Sequence, residues 1–178
     1  MKPLYDRLRS DFRPELKLLT YWTRKEKFKF YADTSPHWTI FAVEKGSFQY
    51  EFGSEKGVAG FGDYVICPPD IEFRRVVISP LVFFALQLTW VDSFGGAPDH
   101  EHVSLLSGKF SILDTKRLTK NYEMMKKVDR MDPKRRLTLA GHYMNDIWLM
   151  SCDELDGRPW IVDDREPEHV EPLMAQAA

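Results

Sequence analysis

Two cations and a ring of aromatic side chains carry most of the chemistry that this sequence offers. Lys45 and Arg75 each sit in a strand-like run rich in Phe and Val. A Lys or Arg taken into such a run is costly unless it is paired or meets an acceptor. The other reactive side chains are scattered. Cys67 and Cys152 are far apart, in no metal-ligand spacing. The pair His100 and His102 could grip a metal, but no third ligand lies nearby in sequence, and a solvated loop is the better reading. His37 stands alone and reads as an ordinary histidine at the start of a strand. A divalent-metal site of nitrogen and oxygen ligands needs about three imidazoles and a carboxylate. No nucleophile–base pair is suggested. Tyr50, Tyr64 and Glu51 are the only acid–base candidates, and alternation puts Glu51 on a polar outer face.

These residues must be positioned by a β-rich first half. From about Leu16 to Trp90 the apolar residues recur with period two, and turn signals come every ten residues or so. In "SFQYEFGSEKG", Phe48, Tyr50 and Phe52 alternate with Ser47, Gln49 and Glu51, and Gly53 to Gly57 predicts a hairpin turn. "HWTIFAVEKG" predicts a strand ending at Gly46. "DYVIC" predicts another, halted by Pro68 and Pro69, which cannot donate to a ladder. "EFRRVVI" and "LVFFALQLTW" predict two more, joined by Ser79-Pro80, and "LKLLTYWT" and "KFKFYA" a further two. Many short strands at this spacing indicate an antiparallel barrel or sandwich. "LVFFALQLTW" is apolar on both faces, so a covering layer must pack outside the barrel.

The second half supplies that layer. After "FGGAPDHEH" the rhythm becomes helical. Asp114 is an N-cap for a helix that ends before Pro133, with Leu118, Tyr122, Met125 and Val128 on one face. Pro133 suits the first turn of a second helix. Leu137, Ala140, Gly141, Met144, Ile147, Trp148 and Ser151 form its stripe, close to heptad spacing. Leu139, Tyr143 and Met150 make an offset second edge. One face could cover the barrel while the other meets a partner; both could also pack within the chain. "DGRPW" marks a linker, followed by an acidic tail and a short apolar pattern from Pro172.

The chain has 178 residues and a formal net charge of −2, which gives no field for attracting nucleic acid. Two cysteines suit a reducing compartment. No apolar run approaches the ~20 residues that span a bilayer. A soluble cytoplasmic protein with no membrane partner is the expectation.

The order "HWTIFAVEKGSFQYEFGSEKGVAGFGDYVICPPDIEFRRVV…PLVFFALQLTW" resembles the N-terminal sensor domain of AraC-type bacterial transcription regulators, over roughly Thr20 to Trp90, and the two helices resemble that family's dimerisation helices. The resemblance implies a cupin-type antiparallel β-barrel (a double-stranded β-helix) followed by two or three α-helices. It places the barrel at residues 1–100 and a helical dimerisation region at 101–157. Residues 158–178 become a linker and the start of a DNA-binding domain that this sequence does not contain. It implies a sugar-like effector, a homodimer, and contact with DNA only through that further domain. At the positions where cupins hold a metal, this chain has Ser35, Thr39 and Phe73, so no metal or other cofactor is expected. With the family's register, Phe41, Val43 and Lys45 point into the cavity, as do Phe73, Arg75 and Val77, and Phe83, Ala85, Gln87 and Thr89. The family's sugar-contacting positions fall on Lys45, Arg75, Phe83 and Ala85; Trp38 or Tyr50 would add an aromatic wall. Two cations favour a ligand with acceptor oxygens: a sugar, sugar acid or phosphorylated sugar. Alternatively both lie at the rim, bridged to Glu44 or Glu72, since a one-residue slip exchanges Arg75 for Arg74. Leu137, Gly141, Met144 and Trp148 are the expected dimer contacts. The competing reading is a metal-independent cupin enzyme, an isomerase or epimerase acting on a sugar; a third is a cupin scaffold or storage protein with no ligand.

Overall fold

The computed structural model describes residues 9–156. Seven strands and three helices follow a short 3-10 turn at Arg9–Asp11: β1 (Phe12–Lys25), β2 (Ala32–Thr34), β3 (Trp38–Phe52), β4 (Glu55–Ala59), β5 (Asp63–Cys67), β6 (Glu72–Asp92), α1 (His100–Leu106), β7 (Gly108–Ser111), α2 (Thr115–Val128) and α3 (Pro133–Asp156). All pairings are antiparallel. The architecture is a cupin-type antiparallel β-barrel followed by helices, as the family resemblance implies.

Two long strands make the barrel. The first part of β3 and the second part of β6 pair with each other and with β5 and β1. The remaining parts of β3 and β6 pair with each other and with β4 and β2. Each long strand therefore crosses from one sheet to the other, and the two sheets enclose an interior. The crossing in β3 falls at Glu44 to Ser47, where the register against β6 shifts. Phe41 and Val43 point inward before it, and Phe48, Tyr50 and Phe52 point inward after it. The parity of the strand has changed by one residue, which is what an inserted bulge residue does.

The break expected at Ser79-Pro80 is not there. β6 runs unbroken through Pro80, because the ladder is already irregular opposite it, so Pro80's missing N–H interrupts no regular pairing. Gly46 makes this crossing possible. Its φ is +80°, and a Cβ there would stand 2.0 Å from the Pro80 carbonyl oxygen.

"KFKFYA" also departs from expectation. Only Ala32–Thr34 is strand. Phe28 turns into the interior and stacks on Phe41, with centroids 5.7 Å apart. Ring packing fixes that segment, together with one backbone bond from the Arg75 amide to the Tyr31 carbonyl at 2.9 Å.

The helices cover the outer face of one sheet only. Leu19, Ile40, Phe84, Leu86, Leu88 and Trp90 form that face, and Leu118, Tyr122, Met125, Met144, Ile147 and Trp148 pack on it. Trp90 and Trp148 lie 4.5 Å apart by ring centroid. The Trp148 indole N–H donates to the Phe12 carbonyl at 2.9 Å, which satisfies a buried polar group and fixes α3 to β1. β7, read as part of a helical region from the sequence, adds to β5 at the sheet edge. The sheet thus draws on residues beyond 100.

Candidate functional site

A cavity of about 150 Å³ opens in the barrel interior. β1 contributes Leu18 and Thr20, β3 Thr39 and Phe41, and β6 contributes Phe73 and Arg75 from one end and Ala85, Leu86 and Gln87 from the other. Asp33 of β2, Ser35, Cys67, Pro68 and Ile71 complete the wall. Alternation explains the pairs Thr39 and Phe41, Phe73 and Arg75, and Ala85 and Gln87, while Leu86 belongs to the opposite face and only borders the cavity. Leu18 and Thr20 lie on the face of β1 opposite Leu16 and Leu19 because the register shifts between Leu16 and Leu18.

Arg75 dominates the chemistry. Its side chain is only 10% exposed. Nη2 donates to Asp33 Oδ2 at 3.0 Å and Nη1 to Oδ1 at 3.5 Å. The guanidinium carbon lies 5.3, 5.4 and 5.2 Å from the ring centroids of Phe28, Phe41 and Phe73. A planar, weakly hydrated cation suits such a setting, where an ammonium would not. Nε is buried and has no hydrogen-bond partner among the described residues. Such a buried N–H offers a place for an acceptor. Cys67 is a third titratable group in the wall, after Arg75 and Asp33. Burial pushes its thiol up to about 12, against the opposing pull of the Arg75 charge.

Four of the expected ligand contacts, Phe41, Arg75, Ala85 and Gln87, come together at this cavity. Phe83 and Tyr50 point into the same interior but pack in its core, 1% and 4% exposed, outside the cavity wall. Two expectations are corrected. Lys45 falls in the bulged stretch of β3, and its side chain is exposed to solvent instead of entering the cavity. Trp38 lies on the opposite face, edge-on to Trp90 at 6.2 Å under the helices. Neither cation is bridged to Glu44 or Glu72: Arg75 takes Asp33, and Glu44 takes Lys126.

Ser35, Thr39 and Phe73, which the resemblance put at the metal positions of cupins, all reach the cavity wall. His37 is exposed. Among the described residues, no three His, Cys, Asp or Glu side chains converge as a metal site would require. His100 and His102 are not in a loop. They open α1, where Asp99 caps the helix by accepting from the Glu101 and His102 amides. His102 is buried against the Phe12 ring, its Nδ1 2.5 Å from Asp99 Oδ1. A helix that tucks under the N-terminal strand gives that imidazole a structural place. The acid–base candidates lie elsewhere too. Tyr64 is fully buried under α3, its hydroxyl donating to Ser151, and Glu51 is exposed beside Arg74.

The stripe expected to meet a second copy packs within the chain. Met144 and Trp148 are fully buried in the core between sheet and helices. Leu137 packs against the same core, and Gly141 faces Leu16 of β1. The sheet's outer face needed an apolar cover, and this stripe supplies it.

Asp33 was missed from sequence. It sits on a three-residue strand with no alternation to read. Only its pairing opposite Phe73, two residues from Arg75, brings it to the site.

No family model and no curated protein matches the chain. Solved structures do. An RmlC-like cupin from Shewanella frigidimarina is 15% identical, covers 39% of this chain and 61% of its own, and has a TM-score of 0.32. KdgF from Halomonas sp. is 19% identical over 39% of this chain and 76% of its own, with a TM-score of 0.32. The AraC-like transcriptional activator CuxR is 10% identical over 79% of this chain, with a TM-score of 0.43. This chain spans 61% of the length of that RmlC-like cupin and 53% of CuxR. At these identities the likeness is one of fold.

Proposed function

We propose that this chain is a small-molecule sensing domain, taking an oxygen-rich, sugar-like metabolite in the barrel cavity and reporting it to an attached DNA-binding domain of an AraC-type regulator. One observation carries the binding half of the reading: a cation held inside an aromatic-walled cavity, whose own buried Nε–H has no hydrogen-bond partner among the described residues. A guanidinium so placed gives a hydroxyl or carbonyl oxygen a charge-assisted donor away from water. Thr39, Ser35 and Gln87 surround it with further polar groups. The regulatory half rests on the sequence's resemblance to the sensor domains of that family.

Binding without turnover is the better reading of the groups at hand. Asp33 is engaged by Arg75, and the Cys67 thiol is held protonated by burial. The buried thiol is therefore no ready nucleophile or base, and both Asp33 oxygens are taken up by the guanidinium. The test is a thermal-shift screen of sugars and sugar acids, followed by calorimetry on the best hit. A ligand at ~100 times its dissociation constant should stabilise the fold by about 2.7 kcal/mol. Arg75→Ala should abolish that gain. An unchanged affinity in Arg75→Ala would refute the site.

A further inference from the structure

The cavity's charge balance narrows the ligand class. Of the described residues that line it, Arg75 and Asp33 alone carry charge. They form a two-point ion pair with oxygens at 3.0 and 3.5 Å, so the pair is already close to neutral. Lys45, the second cation expected there, points to solvent. An acid or phosphate entering this cavity would bring a second anion beside Asp33 with no second cation to meet it. A neutral hydroxyl or carbonyl oxygen meets no such penalty and can still accept from the buried Nε of Arg75. Specificity of this kind works through what is repelled as much as through what is held.

We infer that Asp33 is a charge filter, and that the cavity takes an uncharged polyol or sugar while rejecting the corresponding acid. This deepens the reading proposed above and rests on it. Asp33 has the geometry for the role. It is anchored on β2, paired in register with Phe73, and holds the guanidinium's two terminal nitrogens while leaving Nε aside. The space also fits a small occupant. About 150 Å³ is the order of volume that accepts a single six-membered ring. Asp33 is 46% exposed, so solvent screens its repulsion, and the discrimination should be about tenfold instead of several thousandfold.

The experiment is calorimetry on the whole chain with matched neutral and acid probes of three to six carbons: glycerol and glycerate, erythritol and erythronate, xylitol and xylonate, glucose and glucuronate. In the unmutated protein the neutral member of the best pair should bind about tenfold more tightly than its acid. Asp33→Asn should reverse that order, because the acid then faces an unpaired Arg75. Asp33→Ser serves as the second variant, and circular dichroism checks that each is folded. Acids binding more tightly than their neutral partners in the unmutated protein would overturn the filter and leave the sensing reading intact. An unaltered order in a folded Asp33→Asn or Asp33→Ser would also overturn it. Binding by no member of any pair, in any variant, would overturn both.

Discussion

Lys126 of α2 and Glu44 of β3 join the helical layer to the barrel, the ammonium lying 3.1 and 3.0 Å from the two carboxylate oxygens. Glu44 is the residue at which β3 changes parity. Alternation from Ile40 and Ala42 turns its carboxylate outward under α2, where it is 11% exposed. The Tyr21 hydroxyl also donates to it, at 3.0 Å. A nearly buried carboxylate needs these donors, since losing one partner leaves a poorly solvated charge. Lys126→Met should therefore destabilise the fold by about 1–3 kcal/mol, less than for a fully buried pair because Lys126 itself is partly solvated. The double variant Glu44→Gln/Lys126→Met should lose less than the sum of the single losses. Urea denaturation of the cycle measures it; strict additivity would show that the pair is not coupled.

Gly46 should be irreplaceable. At φ +80° any side chain is strained, and here a Cβ would also overlap the Pro80 carbonyl oxygen. Gly53, at φ +55° in the β3–β4 turn, has nothing within 4 Å of its Cβ position. Gly53→Ala should cost about 1–2 kcal/mol, the left-handed penalty alone. Gly46→Ala should cost clearly more, because the two long strands must separate to admit it. Equal midpoints of urea unfolding for the two variants would show that the barrel crossing is not tight.

The period-two pattern made most strands legible, since a half-buried strand must alternate. Phe48, Tyr50 and Phe52 point inward as their spacing requires, and Leu118, Tyr122, Met125 and Val128 share the buried face of α2. Alternation failed where the backbone breaks it. One inserted residue at the β3 crossing sent Lys45 to solvent, and reading parity straight through from Phe41 could not foresee that. Trp38 lies three residues before Phe41, so alternation puts it on the opposite face, under the helices. Asp33 had no periodic context at all. The site was legible where it lies on regular strands, at Phe41, Arg75, Ala85 and Gln87, and illegible where it depends on a short strand docking from elsewhere.

Gly141 separates cover from contact in α3. If it met a second copy, a large side chain would disrupt only assembly. Its Cβ position instead looks onto Leu16 Cγ at 4.0 Å, an ordinary contact distance. Gly141→Ala should fit and stabilise the helix, by about 1 kcal/mol from propensity. Gly141→Leu should overpack α3 on β1 and destabilise the folded chain by about 1–3 kcal/mol. Thermal melts read both. A Gly141→Leu protein that melts like the unmutated one but sediments differently would return this residue to an interface.

Cys67 reports on the cavity. Its thiol donates to the Pro68 carbonyl at 3.5 Å, and burial raises it from 9.0 to about 12. The sign of the linkage follows from that shift. Above pH 9 the unfolded chain's thiol ionises while the folded chain's stays neutral, so ionisation favours the unfolded state. The stabilising contribution is complete below pH 9 and is lost as the pH climbs towards 12. Tyr21, raised from 10.0 to about 12 chiefly by burial and then by Glu44, acts in the same direction over a narrower window. Cys67→Ala should therefore flatten, without abolishing, the fall in stability between pH 9 and 11. In a Cys152→Ala background, which leaves Cys67 as the only thiol, alkylation at pH 8 should be slow in the folded protein and fast in urea. A ligand that fills the cavity should slow it further. Native labelling as fast as in urea would place the thiol in solvent and remove Cys67 from the wall.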